Sequence, residues 1–98
     1  MIEIIKSETF TAWLLRLKDR QARLRILARI ERIQEGNLGD VAPVGEGISE
    51  ARIHYGAGYR LYFLQRGTQL IVLLVGGDKR TQSSDIARAQ RMAKQWKG

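Results

Sequence analysis

The stretch ARIHYGAGYRLYFLQR, residues 51–66, decides the fold. Side chains alternate across a strand, so parity sorts its residues by face. Before the glycines, Ala51 and Ile53 suit a core, which turns Arg52 and His54 to the other side. After them, Tyr59, Leu61 and Phe63 suit the core, which turns Arg60 and Tyr62 away. A hairpin closing around Gly56 sets Arg52 roughly opposite Arg60 on one face. Like charges directly opposite destabilise a sheet, and a phosphate between them would resolve the conflict. The competing reading of the two arginines is a solvated face of a one-sided sheet.

The neighbouring segments extend this hairpin. ISEARIHY (48–55) alternates as a strand, and QLIVLLV (69–75) follows the turn residues Gly67 and Thr68. The latter is apolar on both faces, as suits a central strand. Upstream, MIEIIKS (1–7) reads as a short first strand. Ser7 or Thr9 can cap a helix whose stripe is Phe10, Trp13, Leu14 and Leu17. Asp19 can cap a second helix with Ile26, Ile30 and Ile33 inward, ending near Gly36. Its arginines, Arg20, Arg23, Arg25, Arg29 and Arg32, run around several sides and read mostly as solvated. Residues 41–47, which contain the lone proline Pro43, read as loop. A final helix carries the stripe Ile86, Ala89, Ala93 and Trp96, with Arg88, Arg91, Lys94 and Lys97 mostly elsewhere. The order predicts an α+β fold, with a small antiparallel sheet threaded β-α-α-β-β-β-α. The helical hairpin should cover one sheet face and leave the other at least partly open.

Ninety-eight residues make one domain, residues 1–98, which buries only ~65% of its unfolded surface. The absence of cysteine and a single histidine argue against a metal site. No small-molecule cofactor is expected. The N-terminal apolar run is interrupted by Glu3 and Lys6, too short for a signal peptide or membrane span. A cytoplasmic protein away from membranes is the expectation. The net charge of +7, from 17 basic and 10 acidic residues, points to an anionic partner, most often nucleic acid. GGDKRTQSSD (76–85) adds two glycines, Lys79, Arg80 and a fresh helix start, where backbone amides favour an anion. It lacks the spacing of a P-loop, and a solvated capping loop is its plainer reading.

ARIHYGAGYRLYF, followed by LLVGGDKRTQSSDIARA (73–89), resembles the RelE/ParE superfamily of bacterial toxins. More narrowly, the chain is similar to the HigB-like, phage-related addiction-module killer proteins. The likeness extends through residues 13–53 and so covers essentially the whole chain. It implies a RelE-like fold and the toxin of a type II toxin–antitoxin pair, held by a cognate helix-turn-helix antitoxin. It further implies ribosome-dependent, metal-independent cleavage of mRNA, with arrest of translation and growth. The family's functional arginine falls on Arg60, its basic position after the last strand on Lys79 or Arg80, and its earlier arginine on Arg52. Arg60 would stabilise transition-state charge, while Lys79 or Arg80 would neutralise the phosphate. Tyr62, Tyr55 and His54 are the candidates for proton transfer, with His54 and Tyr55 also placed to touch RNA. Some nuclease members carry a tyrosine or histidine near the C-terminus. ARAQRMAKQWKG (87–98) offers neither. The alternative activity within the superfamily is a non-nucleolytic toxin that poisons DNA gyrase. A third reading is a plain nucleic-acid-binding or regulatory module.

Overall fold

Ser7 sets the first boundary in the computed structural model, which describes residues 1–96. Its hydroxyl accepts from the Phe10 N–H at 2.9 Å and so starts α1 (Glu8–Arg16). The same hydroxyl donates to the Leu74 carbonyl at 2.6 Å, tying the helix to the sheet. Asp19 starts α2 (Arg20–Gln34) in the same way, accepting from the Ala22 N–H at 3.1 Å. At the far end of α2, the Gly36 N–H donates to Ile33 and the Asn37 N–H to Arg32, a Schellman closure. The predicted Lys97 of the last helix lies outside the described residues.

Among the described residues, five strands form one sheet: β1 (Glu3–Lys6), β2 (Val41–Gly45), β3 (Ile48–Ile53), β4 (Tyr59–Arg66) and β5 (Leu70–Gly77). Their order is β1-β5-β4-β3-β2. All neighbours pair antiparallel except β1, which runs parallel to β5. A single 3-10 turn (Lys79–Thr81) leads into α3 (Gln82–Gln95). The architecture is α+β, consistent with a RelE-like fold.

The structure adds a strand where residues 41–47 read as loop. Val41–Gly45 pairs with β3 as an edge strand, with a shifted register between Pro43 and Gly45. An edge tolerates a proline because one side of it needs no N–H. The segment also lacks the clean alternation that marks a strand in sequence.

The second sheet face is less open than expected. The helical hairpin buries Phe10, Leu14, Ile26, Ile30 and Ile33 against Leu61, Phe63, Ile71 and Leu73 on one face. On the other, Ile86, Ala89, Met92 and Ala93 of α3, with Trp96 just past its end, cover Ile48, Tyr62, Leu64, Val72 and Val75. A bulge assists: Tyr62 pairs with Val75 but Phe63 with Leu73, so Leu74 has no partner across the ladder. Leu74 and Val75 then both join the α3 side. What stays uncovered lies toward the Gly56 hairpin, at the Arg52 and Arg60 end of the sheet.

One arginine read as solvated is structural. Arg29 is 6% exposed. Its guanidinium donates to three carbonyls: Leu38 at 2.9 Å, Arg52 at 2.7 Å and Asp40 at 2.8 Å. It therefore joins α2 to the segment before β2 and to the end of β3. Gly39 makes room for it. That glycine has φ +74, and a Cβ there would come within 2.9 Å of the guanidinium carbon. Burial pushes the Arg29 pKa below its ordinary value, and Arg32 adds to the shift. Arg29→Ala strands three carbonyls and should lower stability by about 3 kcal/mol. That corresponds to roughly 12 °C or more in Tm. The exposed Arg20→Ala should change stability by less than about 0.5 kcal/mol. Thermal and urea unfolding of the two variants measure the contrast.

Candidate functional site

The β3–β4 register places Arg52 directly across from Arg60, as parity predicted. The anion between them belongs to the chain itself. Glu50 is 4% exposed, with one carboxylate oxygen 3.6 Å from Arg60 Nε and the other 3.8 Å from Arg52 Nη1. Gln82, at the start of α3, donates to the same carboxylate at 3.1 Å. Glu50 shares the parity of Arg52, two residues away. That was the signal in the sequence, but the alternation ISEAR gives no sign that the carboxylate is buried.

A second carboxylate organises the outer edge. Asp40 accepts from Arg52 Nη2 at 3.0 Å and contacts His54 Nε2 at 2.6 Å. These partners hold the Asp40 carboxyl below the usual carboxylate range, the His54 hydrogen bond first and Arg52 next. Arg60 is anchored by donating from Nη1 to the Gly58 carbonyl at 2.7 Å. The Nε groups of Arg52 and Arg60 are buried and meet no hydrogen-bond acceptor among the described residues.

Lys79 reaches this place because the chain after β5 is drawn to the hairpin tip, its N–H donating to the Ala57 carbonyl at 3.4 Å. The lysine stem runs across Gly58, where φ is +76 and a Cβ would sit 2.9 Å from Lys79 Cγ. Arg52, His54, Tyr55, Arg60 and Lys79 consequently line one cleft of about 290 Å³. Three fixed cations and a histidine suit a phosphate and the nucleoside attached to it. A larger hollow of about 630 Å³ lies at the N-terminal end of the sheet. It is lined by Glu3 and Glu35 without a lysine or arginine, so its field disfavours phosphate.

Two predicted site residues lie elsewhere. Tyr62 is fully buried beneath α3, and its hydroxyl meets no partner among the described residues. Burial, with Glu50 alongside, pushes its phenol up to about 12. Arg80 is an exposed side chain paired with Asp78 at 3.1 Å and does not line the cleft. Asp78 also accepts the Arg80 N–H at 2.9 Å. Asp85, in the first turn of α3, accepts from the Thr81 hydroxyl at 2.6 Å. The helix start read as an anion site thus already carries carboxylates of its own. Trp96, the aromatic of the C-terminal helix, packs into the α3 core.

Two substitutions test this geometry. Glu50→Gln removes the charge between opposed arginines and should destabilise the fold by about 3 kcal/mol in urea unfolding. Tyr62→Phe should leave stability unchanged or raised at neutral pH, since the hydroxyl has no partner. The folded pKa of Tyr62 lies above the ordinary value of ~10, so the buried neutral phenol costs no ionisation penalty below pH ~10, and a penalty builds as pH rises toward about 12. Wild-type protein should therefore lose about 1 kcal/mol more than Tyr62→Phe between pH 9 and 11.

Residues 12–96 match the family described as phage derived protein Gp49-like (DUF891). A protein of Haemophilus influenzae (strain ATCC 51907 / DSM 11121 / KW20 / Rd), described only as an uncharacterized protein, is 46% identical over 94 residues. The alignment spans 96% of this chain and 95% of that relative. With the match running from α1 through α3, the chain belongs to the Gp49-like phage-derived family, a family of RelE/HigB-type toxins.

Proposed function

We propose that this protein is the toxin of a type II toxin–antitoxin pair and that it cleaves mRNA on the ribosome. The convergence of Arg52, Arg60 and Lys79 on one exposed cleft supports this reading most directly. In the proposed reaction the ribose 2′-oxygen attacks the adjacent phosphorus and the bond to the 5′-oxygen breaks. The products are a 2′,3′-cyclic phosphate and a free 5′-hydroxyl. A base takes the 2′ proton and an acid supplies one to the leaving oxygen.

Arg60 stabilises the charge that develops on the phosphorane, helped by Lys79. Arg52 binds the phosphate from the opposing strand. His54 is the favoured proton carrier, because Asp40 engages Nε2 and leaves Nδ1 to exchange a proton. Tyr55 lines the same cleft and is the second candidate. Tyr62 and Arg80 take no part in this scheme, one being sealed in the core and the other turned to Asp78.

The family implies an antitoxin partner. The basic surface suits an acidic antitoxin segment. Ribosome and mRNA are part of the proposal.

Arg60→Ala should lower the cleavage rate on the order of 100-fold or more and abolish growth arrest, while antitoxin binding persists. The check is primer-extension mapping of transcripts after induction, run beside a gyrase supercoiling assay. Cuts at defined codon positions in translated messages are the expected result. Intact transcripts with inhibited gyrase, or a fully toxic Arg60→Ala variant, would overturn the assignment.

A further inference from the structure

The cleft holding Arg60 adjoins a second one. This hollow of about 330 Å³ opens between α2 and the end of β3. Arg52, Ile53, His54 and Tyr55 border both. Arg25 and Arg32 complete the far wall. They are seven residues apart on α2, hence on one side of the helix and roughly 10 Å apart along it. Neither has a carboxylate partner within ion-pair distance among the described residues. The other charges of this hollow are already engaged. Arg29 is spent on carbonyls, and Asp40 is held by Arg52 and His54. The guanidinium groups left free to meet a ligand are therefore those of Arg25 and Arg32.

Arg25 has a fixed position as well as a charge. Its guanidinium lies 4.5 Å from the centre of the Tyr55 ring. Tyr55 borders both clefts, so the pair sets a guanidinium beside an aromatic ring at their shared lip. Guanidinium planes and aromatic rings are the surfaces on which single-stranded bases stack.

We propose that an RNA strand bound at the Arg60 cleft continues over the Arg52–Tyr55 segment into this second cleft. There Arg25 and Arg32 neutralise flanking phosphates, and a base stacks at the Arg25–Tyr55 lip. This rests on the RNA reading of the first cleft. The lining favours a polyanion over an apolar protein segment. The exposed leucines of α2, Leu24 and Leu27, sit on another side of the helix and do not border the hollow. The extra phosphate contacts would make binding depend on strand length, which a single cleft does not do.

The test uses 2′-O-methyl oligoribonucleotides, which cannot undergo 2′-oxygen attack. Binding of a tetranucleotide and a dodecanucleotide is followed by fluorescence anisotropy over a range of salt. Arg25→Ala/Arg32→Ala should weaken the dodecamer roughly 20-fold at 0.1 M salt and flatten its log–log salt slope by about 1.4. The tetramer should bind the double variant as it binds wild type. Both positions are exposed, so the double variant should lose no more than about 1 kcal/mol of stability, the scale of the Arg25–Tyr55 contact. Equal dodecamer affinity and slope in wild type and double variant would overturn the inference. So would loss of antitoxin binding with RNA binding intact, which would give the hollow to the protein partner. An Arg60→Ala variant that binds both oligomers normally would instead remove the RNA reading of the first cleft.

Discussion

The site depends on a conflict and its resolution. The pairing of β3 with β4 sets two arginines face to face, and a sheet does not tolerate that alone. Glu50 lies between the two guanidinium groups and is itself held by Gln82 from the third helix. Three elements are thereby locked around one buried carboxylate: the two strands and the start of α3. The arginines are stiffened, with their reach limited to the hairpin end. A surface arginine loses side-chain entropy when it grips a ligand, and these two have already lost much of it on folding.

Much of this arrangement is legible in the sequence because it follows from periodicity. The split of residues 51–63 into two faces, the caps at Ser7 and Asp19, and the apolar stripe of α3 all depend on spacing alone. What escaped depends on tertiary contact. Val41–Gly45 becomes a strand because β3 offers it a free edge, not because of any propensity of its own. Arg29 falls between Ile26, Ile30 and Ile33, so its helix position marked it as inward; its charge argued otherwise. Three backbone carbonyls from distant segments settle the matter, and no local pattern announces them.

The candidate site divides in the same manner. Parity correctly turned Arg52, Arg60 and Tyr62 to one face, but face alone does not separate a cleft from a core. The last helix draws that line, sealing Tyr62 and leaving Arg60 at the edge with 12% of its side chain exposed. Lys79 and Arg80 are neighbours in sequence, yet Asp78 takes one and the hairpin tip takes the other. A helix start prefers an anion. Asp78 and Asp85 satisfy it from within, which frees the cleft to be defined by side chains alone.

The central claim is that the guanidinium groups assembled by Glu50 are where this protein meets a phosphate chain. The most direct measurement follows the side-chain Nε–H signals of Arg52 and Arg60 by NMR while a 2′-O-methyl oligoribonucleotide is added. The account expects those two signals to shift together and saturate with the Lys79 amide. Unmoved arginine signals, with the changes confined to the hollow around Glu3, Glu35 and Gln69, would contradict it.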